Sequence, residues 1–316
     1  MTDAPRDIAA GPLVIVGPTA SGKSSLAVQL ARRHPGTEIV SSDAMAVYRG
    51  MDIGTAKPTP AERDGIPHHL IDVVEPTEDY TVARFQREVA AVLDDLAVRS
   101  RPAIVVGGTG LYVQAVVDDF TMPDQFPELR SELEAEADTA ALFDRLQALD
   151  PAAATKMLPG NRRRIIRALE VTIGSGRPFS SFGPGVDHYG PTRFRLVGLE
   201  IDRAEMDRRI DERYRQQLEA GFLAEVERLS GIGLSRNPSQ ALGYRELLAH
   251  VRGECGLDEA VDEARRRTKR FARRQQRWFR RDPRITWFDA LDAALVDEVA
   301  DHWHGVEGGG TVVSIG

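Results

Sequence analysis

Gly17-Pro18-Thr19-Ala20-Ser21-Gly22-Lys23-Ser24 carries the strongest structural signal in the chain. It fits the pattern G-x-x-x-x-G-K-[ST]. Residues 12–16 before it read as a short buried strand and residues 24–32 after it as a helix, which is the context the pattern requires. Glycines let successive backbone N–H groups turn inward as an anion nest, and the helix N-terminus adds its positive end. Lys23 supplies a full charge, and a Ser at position 24 is the usual Mg²⁺ ligand of such loops. The nest reads charge and oxygen geometry in a diphosphate or triphosphate and does not read the group beyond. ATP and any other diphosphate ester therefore satisfy it equally. A Gly-rich turn that binds nothing is the weaker reading in this context.

Working outward, residues 38–42 form a second strand pattern ending at Asp43, and Ala103–Val106 a third, closed by Gly107 and Gly108. Between them Val82, Phe85, Val89, Val92, Leu93 and Leu96 recur at helical spacing. Strands alternating with helices predict a parallel sheet with helices on both faces. The alternation then stops. Residues 128–174 are helical in pattern, broken at Pro151 and at Leu158-Pro159-Gly160, and a loop rich in Gly, Ser and Pro follows over 174–191. Strand pattern returns at 194–201. The predicted architecture is α/β: a P-loop core of residues 1–119 and 192–316, interrupted by an all-helical insertion at 120–191. The last third predicts long amphipathic helices at 205–220 and 257–281, a final strand at 284–288, and a Gly-rich tail at 308–316 that should fray.

Composition narrows the class. The chain has 316 residues, a formal net charge of -7 and ordinary apolar content, so a folded globular protein is expected and a generally basic nucleic-acid coat is not. Cys255 is the single cysteine, which excludes an intramolecular disulfide within the chain and points to a reducing compartment. No apolar run approaches the roughly 18 residues of a membrane span. The first ten residues match a secretory signal poorly. A cytoplasmic location is the expectation.

Charge is unevenly placed. Residues 265–284 hold ten Arg and one Lys against a single acid, Asp282. A solvated helix face normally mixes signs, so this block is an electrostatic footprint for phosphate. Arg162, Arg163, Arg164 and Arg167 make a second cluster on the predicted insertion. Two such clusters on separate modules could grip an RNA hairpin from two sides. Trp278 and Phe279, among the arginines, read first as anchors of their helix to the core and second as base-stacking groups.

The run Ser41-Ser42-Asp43-Ala44-Met45-Ala46-Val47-Tyr48-Arg49-Gly50-Met51-Asp52-Ile53-Gly54-Thr55-Ala56-Lys57-Pro58 resembles the tRNA dimethylallyltransferase family. The resemblance continues through Pro67-His68-His69-Leu70-Ile71-Asp72 and Val106-Gly107-Gly108-Thr109-Gly110-Leu111-Tyr112. It recurs at Asn161-Arg162-Arg163-Arg164-Ile165-Ile166-Arg167-Ala168-Leu169-Glu170, at Leu242-Gly243-Tyr244-Arg245, and at Arg273-Arg274-Gln275-Gln276-Arg277-Trp278-Phe279-Arg280. The blocks follow family order from residue 12 to about 281. The resemblance implies transfer of dimethylallyl from dimethylallyl diphosphate to N6 of the adenosine just 3′ of the tRNA anticodon, with Mg²⁺. The partners so implied are that diphosphate and the anticodon stem-loop; a monomer is the expectation, though not one that the resemblance carries.

The resemblance also assigns roles. Asp43, at a strand's C-terminal end where α/β folds place ligands, becomes the candidate general base, and Thr109 a hydroxyl that holds the reacting groups. A turn Asp and a helix-capping Thr are the bland readings. Lys23, Ser24 with Mg²⁺, and Arg245 would neutralise the departing diphosphate. Asp43, Ala44, Met45 and Ala46 match the stretch that meets the flipped-out base. Thr109, Arg130, Arg163, Arg164, Arg167, Arg273, Arg274 and Arg277 are the further tRNA-contacting candidates. His68 and Asp72 match positions near the diphosphate, with a structural role equally open. The rivals are an adenylate isopentenyltransferase acting on AMP, a small-molecule kinase with ATP in the loop, and a non-catalytic RNA-binding NTPase switch. Both kinase and AMP readings leave the basic clusters idle, and the switch leaves Asp43 and Thr109 without a task.

Overall fold

The computed structural model describes residues 11–305. The N-terminal segment weighed as a signal and the Gly-rich tail lie outside the described residues. The chain divides into two compact units: one comprises residues up to Asp118 together with those from Pro191 onward, the other Asp119–Gly190.

The first unit begins with β1 (Leu13–Val16), α1 (Lys23–Arg33), β2 (Glu38–Ser41), α2 (Pro60–Arg63), β3 (His68–His69), α3 (Val82–Val98), β4 (Ala103–Val106) and α4 (Gly110–Val117). The second unit holds α5 (Pro127–Ala135), α6 (Thr139–Leu149), α7 (Pro151–Ala154) and α8 (Arg162–Ser175). The first unit resumes with β5 (Arg195–Glu200), α9 (Arg203–Glu219), α10 (Phe222–Ser230), α11 (Arg236–Ser239), α12 (Tyr244–Val251), α13 (Leu257–Phe279), β6 (Thr286–Asp289) and α14 (Leu295–His304).

The six strands form one parallel sheet in the order β3-β2-β4-β1-β5-β6. Every residue of β1, β2 and β4 is buried, as expected for strands covered on both faces. The period-2 alternation splits their side chains between two cores. Val14, Val16, Val40 and Val105 join Phe85, Val89 and Leu93 of α3 on one face. Leu13, Ile15, Ile39 and Ile104 join Leu26 and Leu30 of α1 and Trp303 of α14 on the other. Each large side chain so buried contributes about 1.5–3 kcal/mol, which fixes the level at which the loops leave the sheet.

Two strands differ from the sequence pattern. The strand at His68–His69 carries no sequence signal, because two residues pairing with Ile39 and Val40 are too few for any periodicity. The last strand starts later than expected, at Thr286. Arg284 is instead drawn out of line by Asp118 and Asp282, both at 2.6 Å. Among the described residues no helix is long and apolar enough to cross a membrane.

The second unit packs Leu133, Leu142, Leu146, Ile165, Ile166 and Leu169 into a core of its own. Asp138 caps α6 by accepting from Ala140 and Ala141, Asp150 caps α7, and Gly176, at φ 68°, ends α8 in the left-handed conformation. Of these, the Asp150 cap falls at the Pro151 break that the sequence shows.

Candidate active site

Because β2, β4 and β1 are neighbours and parallel, the loops that leave their C-terminal ends meet. They bring Lys23, Asp43 and Thr109 into the lining of one cavity of about 590 Å³. This edge is where open α/β sheets bind ligands.

The phosphate loop is shaped by backbone first. Gly22 sits at φ 90°, a conformation that strains any other residue, and has no side chain with which to cap α1. The first-turn N–H groups of α1 are thereby left open to an anion. Lys23 donates to Pro18 O at 2.6 Å. Burial pushes its pKa down to about 8, against the opposing pull of the Asp43 charge and with a further small push from Arg213. Ser24 is exposed on the first turn and lines the cavity. Thr19 completes the loop: its hydroxyl accepts from Arg213 at 2.9 Å and its N–H donates to Gln275 at 2.9 Å.

Asp43 follows β2. Its Oδ1 accepts from the Met45 N–H at 2.8 Å, a tight local turn, while Oδ2 has no hydrogen-bond partner among the described residues. The bland reading of a turn Asp is thus half true. Thr109 does not cap α4 with its side chain. Its Oγ1 instead accepts from the Ala44 N–H at 3.4 Å, linking the β4 loop to the residue after Asp43. Ala44, Met45 and Ala46 all line the same cavity.

Arg245 departs from the expectation. It lies on the first turn of α12, exposed, and is not part of the cavity lining. Two guanidinium groups of α9 do reach the phosphate loop: that of Arg209, on Ala20 O at 3.4 Å, and, lining the cavity, that of Arg213. Its Nε is buried without a hydrogen-bond partner among the described residues, and burial lowers its pKa. Sequence reasoning passed over Arg213 because it is one of many charges on a mixed-sign helix, with no spacing to mark it.

The stretch that resembles the family is held from outside. Glu225 of α10, buried, accepts from the consecutive N–H groups of Asp52, Ile53 and Gly54 at 2.9–3.1 Å and from Tyr244 Oη at 2.6 Å. Gly54 lies flat on Phe222 and Tyr244, where a Cβ would come within 2.2 Å of the Phe222 ring. Lys57 is buried and donates to Tyr48 O at 2.8 Å and to Asp52 and Asp72 at 2.6 Å each. Asp72 therefore serves the loop's shape. His68 lines the cavity with its Nδ1 on Ile66 O at 2.8 Å, and burial lowers its pKa.

The arginines sort into tied and untied. On α13, Arg273 stands 3.8 Å from Asp207, and Arg267 and Arg280 pair with Glu246 and Glu200. Arg274, over the Phe271 ring, and Arg277 are exposed and have no carboxylate partner among the described residues. Trp278 is half-buried on the glycine loop at Gly110 and carries Arg281 4.3 Å above its ring; Phe279 is buried. In the second unit Glu170, with a side chain 1% exposed, takes Arg167 at 2.8 Å, Arg130 at 3.5 Å and the Phe126 N–H at 2.9 Å. Arg167 also donates to Pro123 O and Asp124 O, and Arg162 to the carbonyls of Glu134 and Glu136. Arg163 and Arg164 are exposed and have no side-chain partner among the described residues.

A phosphate loop, a strand-end carboxylate and a hydroxyl-bearing glycine loop around one cavity are the parts a P-loop group transferase needs. The chain belongs to the IPP transferase family, whose model matches residues 46–282; an isopentenyl transferase model also matches residues 12–75. The tRNA dimethylallyltransferase of Kineococcus radiotolerans is 50% identical over 295 residues, 90% of this chain and 92% of its own, and that of Salinispora tropica 48% identical over 92% of both. Among solved structures, the tRNA isopentenylpyrophosphate transferase of Bacillus halodurans superposes with a TM-score of 0.71 at 38% identity, covering 94% of this chain and 96% of that one. A eukaryotic dimethylallyltransferase acting on tRNA gives 0.75 at 28% identity, covering 92% and 76%.

Proposed function

We propose that this chain transfers the dimethylallyl group of dimethylallyl diphosphate to N6 of the adenosine 3′-adjacent to the anticodon in tRNA, releasing diphosphate, as a cytoplasmic monomer. The observation that carries the reading is the meeting of Lys23, Asp43 and Thr109 in one cavity at the sheet edge, in a chain of this family.

The chemistry follows from what each group can do. Adenine N6 is a weak nucleophile, because its lone pair is delocalised into the ring. As the N6–C1 bond forms and the C1–O bond breaks, the N6 proton passes to the open Oδ2 of Asp43. Thr109, beside Ala44, orients the base. Negative charge growing on the departing diphosphate is met by Lys23, by the uncapped N–H groups of α1 and by the charge of the Arg213 guanidinium, which lines the cavity. The hard oxygen of Ser24, with the diphosphate's own oxygens, suits Mg²⁺, and no group of three or more His, Cys, Asp or Glu among the described residues competes for it. When bound, Mg²⁺ would supply further charge neutralisation to the leaving group. Within the two basic clusters, Arg163 and Arg164 in one unit, and Arg274 and Arg277 in the other, are exposed and without a carboxylate partner among the described residues, and are assigned to RNA phosphates. Arg130 and Arg167 are assigned to holding their unit together through Glu170.

The test is mass spectrometry of tRNA nucleosides after incubation with dimethylallyl diphosphate, Mg²⁺ and no ATP. A prenylated adenosine at the position 3′ of the anticodon is expected. Prenylated AMP with unmodified tRNA would replace this reading with the adenylate enzyme.

A further inference from the structure

The loop after β4 is read by α13 at two points. A Cβ at Gly108 would lie 2.3 Å from Gln275 Nε2, and one at Gly110 2.3 Å from Trp278 Cδ1. Gln275 and Trp278 are three residues apart and so share one face of the helix. The glycines are small there because the helix lies on them.

Gln275 does more than pack. It is buried, and both ends of its amide are used. Oε1 accepts from the Thr19 N–H at 2.9 Å, and Nε2 donates to Gly108 O at 2.8 Å. Each end stops one step short of the chemistry. Thr19 is the residue whose hydroxyl holds Arg213. Gly108 precedes Thr109, which holds the Ala44 N–H next to Asp43. Along the helix, Gln275 follows Arg274 and precedes Arg277, both exposed and without a carboxylate partner among the described residues.

We propose that Gln275 is a positioning residue that sets the distance between the diphosphate loop and the loop carrying Thr109, and ties both to the arginine-rich helix. The inference rests on the transfer reaction proposed above. A side-chain amide fits this task because it offers one acceptor and one donor in a fixed plane. Glutamate keeps the acceptor end but turns the other end against a carbonyl; leucine loses both. Reacting groups must be aligned closely, and a misplacement of about 1 Å can cost on the order of 10²-fold in rate.

The experiment is steady-state kinetics of the full-length enzyme with dimethylallyl diphosphate and an unmodified tRNA transcript, for the unsubstituted protein, Gln275→Leu and Gln275→Glu. Gln275→Leu should lower kcat roughly 10- to 100-fold and raise KM for the diphosphate, while KM for tRNA stays within about twofold because Arg274 and Arg277 remain. Gln275→Glu should restore the diphosphate KM and still show the low kcat. That split separates the two ends of the amide, which a merely structural residue would not do. Wild-type kcat in both variants overturns the proposal. If Gln275→Leu does not fold, Gln275→Glu decides alone: a low kcat with a normal diphosphate KM supports the clamp, and any other combination overturns it. Failure of the unsubstituted protein to prenylate tRNA would instead remove the proposed function, whatever the variants do.

Discussion

Asp43 holds the Met45 N–H with one carboxylate oxygen and leaves the other open to the cavity. Replacement by Asn keeps an oxygen for Met45 and removes the capacity to take a proton. Turnover of Asp43→Asn should fall roughly 10²- to 10⁴-fold in single-turnover assays, with diphosphate affinity little changed, since Lys23 and the loop amides provide it. Near-normal turnover would take Asp43 out of the chemistry. Lys23 makes a second claim at this scale. With its pKa at about 8, the free enzyme loses the ammonium as pH rises through that value. A bound diphosphate favours the charged form and so raises the pKa of the complex. Binding therefore takes up a proton above pH 8, and affinity should decline by up to about tenfold per pH unit there, until the pKa of the complex is passed. Calorimetry with inorganic pyrophosphate from pH 7 to 9.5 should show this decline, and Lys23→Met should bind weakly with no such slope. A flat profile in the unsubstituted protein would mean that Lys23 stays charged throughout.

At the scale of elements, α8 carries arginines of two kinds. Arg163 and Arg164 are exposed and untied, and their joint replacement by Ala should weaken tRNA binding and lower the slope of log affinity against log salt by about 1–2, while leaving pyrophosphate binding and melting temperature alone. An unchanged salt slope would show that this part of α8 never meets RNA. Arg130 and Arg167 belong to the other kind, because both lean on Glu170. Glu170→Ala strips a buried acceptor from two guanidinium groups and one backbone N–H. It should destabilise the second unit by about 2 kcal/mol or more, seen as faster hydrogen exchange across residues 119–190. Equal exchange in the two proteins would mean that the carboxylate holds nothing there. Helix α13 differs from α8 in having its exposed Arg274 and Arg277 next to Gln275, which bonds both the phosphate loop and the loop after β4; in the proposed reading its charge and its packing serve one site.

At the scale of the whole molecule, the choice of donor separates this reading from a kinase. On the proposed reading the nest takes the diphosphate and not the carbons beyond it, so dimethylallyl and isopentenyl diphosphates should compete for it with similar affinity. Only the allylic ester has a double bond placed to stabilise charge developing at C1. Product should therefore form from dimethylallyl diphosphate alone, and isopentenyl diphosphate should act as an inhibitor. Both outcomes are read by scintillation counting of prenylated tRNA without ATP. An absolute ATP requirement, or phosphorylated product, would return the kinase.

The sequence by itself determined the phosphate loop, the parallel strands around it, the helical middle third and the family blocks, because each is written in neighbouring residues. A nest needs glycines and a lysine at fixed offsets, and a strand buried on both faces needs an unbroken apolar run. Asp43 and Thr109 were legible for the same reason, as strand-end residues inside recognisable blocks. Tertiary structure decided which charges are free and which are tied. Arg130 and Arg167 looked like Arg163 and Arg164 until the buried Glu170 was placed between them. It also decided that Arg213, 190 positions after Lys23 in the chain, reaches the phosphate loop while Arg245 does not. Glu225 and Gln275 were invisible for a related reason: each bonds to backbone N–H or C=O groups, and every residue but proline carries both. A side chain's partners at long range depend on how helices are laid against the sheet, and no local spacing encodes that distance.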